Sequence, residues 1–106
     1  MVSTENKIAG CVILYNPSVA VIDNVKSYIE YVTELIVIDN SERYDSIIID
    51  FFTSQNKITY LNNNANLGIA KALNQSCELA QKKNYKWLLT MDQDSSFSSE
   101  AIKNLF

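Results

Sequence analysis

Four short apolar runs, each separated from the next by a stretch of helical periodicity, constrain the fold of this chain more than any other feature. The runs are "KIAGCVILY" (7–15), "LIVID" (35–39), "KITYL" (57–61) and "YKWLLTM" (85–91). They are short and rich in β-branched or aromatic residues, which is the pattern of buried strands. Between them the period changes. From Val21 the apolar positions are 21, 22, 25, 28, 29 and 32. Residues 44–53 carry Ile47, Ile48, Phe51 and Phe52, with Ile49 blurring the pattern. From Gly68 the apolar positions are 69, 72, 73, 77 and 80. Each set marks one face of a helix. Pro17 is expected in the first turn of the first helix, where its missing N–H does no harm. A last short helix is expected from Ser98, an N-cap residue, with Glu100 placed well for the helix dipole. The order β-α-β-α-β-α-β-α predicts an α/β fold: a parallel sheet, helices on both faces and right-handed crossovers. Trp87 is expected in the core, and Tyr28, Tyr31 and Tyr60 in the core or at an interface.

Composition narrows the function classes. The 106 residues suffice for one domain, residues 1–106, and 47% are hydrophobic, so the chain is globular. Net charge is −3 with no basic block, which argues against a nucleic-acid partner. There is no histidine, so imidazole acid–base chemistry and imidazole metal ligands are excluded. Cys11 and Cys77 have no C-x-x-C spacing and read as buried free thiols in a reducing compartment. The N-terminus is polar and runs straight into a strand, unlike a signal peptide, and no apolar run is long enough for a membrane helix. A cytoplasmic location is expected, peripheral at the inner face of the membrane if the full-length protein meets one.

In a parallel α/β sheet, ligands bind at the carboxyl ends of the strands. Here those ends are Tyr15-Asn16-Pro17, Asp39-Asn40-Ser41, the asparagine-rich 62–66 segment leading to Gly68, and Asp92-Gln93-Asp94. Gly10 and Gly68 are the only glycines, so neither G-x-G-x-x-G nor the G-x-x-x-x-G-K-[ST] loop is present. Phosphates would have to be held otherwise, and a divalent cation on Asp92 and Asp94 would serve, because Mg²⁺ and Mn²⁺ take carboxylates together with substrate phosphates. The D-x-D alone is a weak motif, and a turn role for both aspartates stays open. Asp39 is either a turn residue or an acceptor for a nucleobase N–H. Gly68 either permits a positive φ or lets a ligand approach. Asn66 and Asn74 could be turn and helix-surface residues. Lys71, in a first helical turn, is either solvated or beside an anion.

Together, "VILYNP", "IVIDNS", "NNANLGIAKALNQS" and "WLLTMDQDS" resemble the N-terminal half of a family 2 glycosyltransferase with the Rossmann-like GT-A fold. "LTMDQDS" and "NLGIAKALN" look most like bacterial rhamnosyltransferases of that family, which use a deoxythymidine-diphosphate sugar. The resemblance covers nearly the whole chain. It implies a nucleoside-diphosphate sugar donor, dTDP- or UDP-linked, a saccharide or lipid-linked acceptor, and Mn²⁺ or Mg²⁺ as cofactor, in polysaccharide biosynthesis. Tyr15, Asn16 and Pro17 would line the nucleobase and ribose pocket. Asp39 would accept from the base N3–H, with Asn40 and Ser41 shaping that loop. Asn66, Gly68 and Lys71 would lie near the nucleotide or diphosphate. Asp92 would reach the ribose or donor sugar and Asp94 the metal. The catalytic base and most of the acceptor site would come from beyond Phe106, which implies a fragment of a longer enzyme, inactive alone. Its unfinished sheet edge could self-associate.

Rival readings share the fold. A stand-alone nucleotide-binding or regulatory module would keep the donor site and lose the acceptor half. A receiver-type signalling domain needs an acidic pair after the first strand, where this chain has Tyr15-Asn16. A sugar nucleotidyltransferase needs a glycine-rich loop there.

Overall fold

A computed structural model describes residues 7–98. The elements are β1 (Ile8–Leu14), α1 (Ala20–Lys26), a 3-10 turn (Ile29–Tyr31), β2 (Glu34–Asp39), α2 (Ser46–Ser54), β3 (Ile58–Asn62), α3 (Ile69–Lys82) and β4 (Trp87–Met91). The four strands form one parallel sheet in the order β3-β2-β1-β4. The central strands β1 and β2 are the most deeply buried, as their uninterrupted apolar sequences require. Alternate residues serve opposite faces. Val12, Leu14, Leu35 and Val37 join Val21 and Val25 of α1 and Ile48 and Phe52 of α2 in one core. Ala9, Ile36 and Ile38 join Ala72 and Ala80 of α3 in the other. Helices therefore cover both faces.

The placement of α3 opposite α1 and α2 follows from strand order. The chain steps from β1 to β2 to β3 in one direction, then returns past β2 and β1 to add β4 on the far side. Crossovers of one hand that run in opposite directions must lie on opposite faces. The reversal opens a crevice at the carboxyl ends of β1 and β4, the expected ligand position.

Four expectations need correction. Helix α1 stops at Lys26 instead of continuing towards Val32. Ser27 Oγ donates to the carbonyl of Asn24 at 2.6 Å, which also accepts from the Ser27 N–H at 3.1 Å, and Oγ accepts from the N–H of Phe97 at 2.8 Å; the backbone leaves the helical region at Tyr28, φ −132°. Tyr28 and Val32 still reach the core, through the 3-10 turn. Pro17 lies in the loop, since α1 begins only at Ala20. Trp87 is 66% exposed, because it opens β4 at the margin of the described sheet, away from the helices that cover β1, β2 and β3. Cys77 is exposed while Cys11 is buried. The inward stripe of α3 is Ala72, Ser76 and Ala80, three small residues that let the helix sit close to the sheet, and Cys77 turns away from it. Of the tyrosines, Tyr28 is core and Tyr31 is partly exposed. Tyr60 is half-buried and stacks on Phe52. The final helix expected from Ser98 lies outside the described residues. No helix among the described residues is long and apolar enough to cross a membrane.

Candidate functional site

Among the described residues, the carboxyl edge carries two neighbouring cavities. The larger, about 620 Å³, sits at the β1/β4 crevice beneath the start of α3. Its lining combines apolar side chains, among them Ile13, Leu73 and Phe97, with polar ones, among them Tyr15, Asn40, Asn66, Asp92 and Gln93. The size and the lining suit a small polar ligand with an apolar face. The smaller cavity, about 330 Å³, lies between the β1 loop and α2 and is lined by Asn16, Pro17, Asp39 and Ser41, among others. The expected site residues are thus divided. Tyr15, Asn40, Asn66 and Asp92 line the first cavity. Asn16, Pro17, Asp39 and Ser41 line the second. Gly68, Lys71 and Asp94 line neither.

The loops after β1 and β2 are stitched together. Asn16 stands at φ 42°, a left-handed conformation that asparagine tolerates better than most residues. Its Oδ1 accepts from the backbone N–H of both Glu42 and Arg43 at 3.0 Å, and its own N–H donates to Ser41 Oγ at 2.8 Å. The Arg43 guanidinium donates to the Asn16 carbonyl at 2.8 Å, and the Tyr15 hydroxyl donates to Glu42 at 2.8 Å. Asn16 is therefore an organiser of the edge, and its side-chain oxygen is fully used by the protein.

Asp39 is only 3% exposed. One carboxylate oxygen accepts from the N–H of Ser41 at 2.9 Å, the two-residue reach of an Asx-turn, and the other accepts from the Tyr60 hydroxyl. Burial, then the bond to Asp39 and its charge, raise the Tyr60 hydroxyl well above the ordinary tyrosine value, so it remains a donor. A carboxylate has about four acceptor positions, and described residues fill two of those on Asp39.

Asn40 is buried beneath the entry to α3. Its Nδ2 donates to the carbonyl of Gly68 at 3.1 Å, and its Oδ1 accepts from Asn63 Nδ2 at 2.8 Å. Asn63 in turn exchanges two bonds with the Gln75 amide, at 2.8 and 2.9 Å. This chain of amides fixes where α3 begins. Gly68 precedes the helix at φ 86°, and a Cβ there would meet nothing within 4 Å, so backbone conformation and not crowding demands glycine. Asn66 Oδ1 accepts from the Gly68 N–H at 3.0 Å. No side chain caps α3, which leaves its first N–H groups and positive dipole end facing the edge, with Lys71 in the same turn.

The D-x-D turn divides its residues by exposure. Asp92 and Asp94 are exposed and Gln93 is half-buried. The carbonyl of Asp92 accepts from the N–H of Ser95 at 3.1 Å, which closes the turn. Neither carboxylate is hydrogen-bonded to a described residue, so both are free to ligate. Among the described residues, no group of three or more acidic, cysteine or histidine side chains forms a protein cage for a metal. Two carboxylates two residues apart, one of them lining the cleft, supply hard oxygen donors of the kind a cation takes when water and phosphate complete its shell.

Sequence reasoning missed Gln93, Asn63, Gln75 and Arg43. Amide and guanidinium side chains on loops carry no periodic signal, and their roles depend on partners 12 to 78 residues away. Tyr60 was legible as an apolar ring on a strand, and its bond to Asp39 was not.

The model of a family described as Glycosyl transferase family 2 matches residues 11–106. No curated protein matches the chain.

Proposed function

The chain belongs to glycosyl transferase family 2, and from that premise we propose that its carboxyl edge is the donor site of a metal-dependent, inverting glycosyl transfer. The sheet is the Rossmann-like, nucleotide-sugar-binding half of the GT-A fold, and membership in the family makes the chain a glycosyltransferase donor-binding domain. The finer reading is a dTDP- or UDP-linked sugar, with rhamnose favoured by the likeness of "LTMDQDS", transferred to a saccharide or lipid-linked acceptor. One observation carries it. Two exposed carboxylates that bond to no described residue stand just after β4, and one of them, Asp92, lines the cleft at the strand-order reversal.

In this reading the β1 end and the β2 end take the nucleoside. The half-exposed Tyr15 ring offers a stacking face. Asp39, oriented by Ser41 and Tyr60, would accept from the base N3–H. Asn16, Pro17, Asn40 and Ser41 hold those two ends in register. Asn66, Gly68 and Lys71 set the start of α3, whose dipole favours the diphosphate. Asp94, with Asp92, would hold Mn²⁺ or Mg²⁺, and Asp92 would also reach the ribose or sugar. A bound divalent cation supplies counter-charge to the diphosphate leaving group as negative charge develops on it.

Titration calorimetry with UDP and dTDP tests the reading. Affinity should rise when Mn²⁺ or Mg²⁺ replaces a chelator. Asp94→Ala should abolish that rise, and Asp92→Ala should lower affinity and keep part of it. Both variants should melt at or above the wild-type temperature, because neither carboxylate supports the described fold and removing one relieves repulsion by the other. Equal affinity with chelator and with metal overturns the metal role. A drop in melting temperature for both variants, with the metal response intact, makes the aspartates turn residues.

A further inference from the structure

Gln93 separates the two aspartates and, unlike them, is half-buried. Its side-chain amide pairs in both directions with the main chain of Tyr15. The Tyr15 N–H donates to Oε1 at 2.9 Å, and Nε2 donates to the Tyr15 carbonyl at 3.3 Å. The carbonyl of Gln93 also accepts from Asn24 Nδ2 on α1 at 3.0 Å. The β1–β4 ladder ends at the pair Val12 and Met91, while β1 runs on to Leu14. Beyond that pair β4 has turned away from the sheet. The Gln93 amide supplies, through a side chain, the ladder contacts that the turned backbone no longer makes. The turn can leave the sheet and expose Asp92 and Asp94 while staying tied to the end of β1 and to α1.

We propose that Gln93 is a positioning residue of the donor site, one that fixes the distance between the acidic turn and the β1 end so that both engage one nucleoside diphosphate at once. The inference rests on the donor-site reading above. A nucleoside diphosphate is bipartite, with a base and ribose at one end and an anionic diphosphate at the other. Binding both ends on two loops that move independently would spend affinity on ordering the loops, whereas a site tied together beforehand avoids that loss. Two hydrogen bonds to the same backbone residue restrict rotation as well as distance, and a single bond would not. Gln93 needs no contact with the ligand to act in this way.

The test compares the wild-type 106-residue chain with Gln93→Ala and Gln93→Met. Met keeps the length and apolar body of the side chain and removes the amide. For each protein, the affinity for UDP or dTDP is measured by calorimetry with Mn²⁺ and with chelator, and the readout is the ratio of the two affinities. A general loss of folded protein lowers both affinities alike and cancels in the ratio. Loss of the link between turn and β1 lowers only the metal-dependent part. The ratio should fall on the order of tenfold in both variants, the scale expected for losing one or two neutral hydrogen bonds. An unchanged ratio in the variants, with a clear metal effect in the wild type, overturns the positioning role and leaves the donor site standing. A wild-type ratio of one overturns the donor-site reading, and the positioning role falls with it.

Discussion

Asp39 combines structural and binding duties that substitution can separate. Its carboxylate closes an Asx-turn with Ser41 and receives the Tyr60 hydroxyl, and it is buried while doing so. Asp39→Asn keeps the size and replaces one acceptor oxygen with an NH₂ donor, which then faces the Tyr60 O–H or the Ser41 N–H. It should lower stability by about 1–3 kcal/mol, the range for losing a hydrogen bond to a charged group. Tyr60→Phe removes one of those bonds and leaves the carboxylate in place. If Asp39 accepts from a base N3–H, Asp39→Asn should weaken uracil and thymine nucleotides with or without metal, and Tyr60→Phe should weaken them much less. Chemical denaturation and calorimetry on both variants check this. Equal binding by the two variants would confine Asp39 to the turn.

Helix α2 shows how one residue sets an element's boundary. Asp45 stands in an extended conformation before Ser46, and its carboxylate accepts from the N–H of Ile47 at 3.0 Å and of Ile48 at 3.3 Å. Those are two of the N–H groups that a helix start leaves unpaired. The cap fixes the phase of α2, so that Ile48 and Phe52 face the sheet and Ile47 faces solvent. Asp45→Ala should destabilise the domain by roughly 1 kcal/mol, and Asp45→Asn by less, as read by urea denaturation. Because Asp45 and Ile48 also line the smaller cavity, fraying of this turn should blur that cavity's wall.

Across the whole molecule, the two ends of the sheet differ: a polar cluster ties the amino edge together, and the cavities lie at the carboxyl edge. At the amino edge Glu34 of β2 accepts from Thr59 of β3, from Lys83 at the end of α3, and from the Tyr85 hydroxyl at 2.8 Å. Four segments meet on one carboxylate. Burial pushes the Glu34 carboxyl up, but the bonds from Lys83, Thr59 and Tyr85 outweigh it and hold it below the usual glutamate value. Tyr85 is pushed up to about 12 by burial and by Glu34. A carboxyl whose folded pKa is depressed adds stability that is present above its unfolded pKa, about 4.3. That stability is lost as pH falls through the folded value. The wild-type melting temperature should therefore drop as pH falls below about 4.3. Glu34→Gln should start lower at neutral pH and lose less over the same acid range. Parallel acid limbs for the two proteins would show that Glu34 does not link protonation to folding.

The strand and helix order was legible in the sequence because burial imposes a period. Doubly covered strands such as β1 and β2 must be apolar throughout, and one-faced helices must repeat their apolar residues every three or four positions. The carboxyl-edge position of Asp39, Asn66, Asp92 and Asp94 followed from that order alone, since strand ends fall where periodic runs stop. Tertiary structure decided what no period records. It placed Trp87 in solvent, because exposure on a strand depends on which helices cover its neighbours. It turned Cys77 outward, because Ala72, Ser76 and Ala80 form the face of α3 against the sheet and Cys77, next after Ser76, points to another side of the helix. It also gave Gln93, the residue between the two aspartates, the task of tying the turn to Tyr15. That bond joins positions 78 residues apart, and a contact of that range exists only once the sheet has brought β1 and β4 side by side.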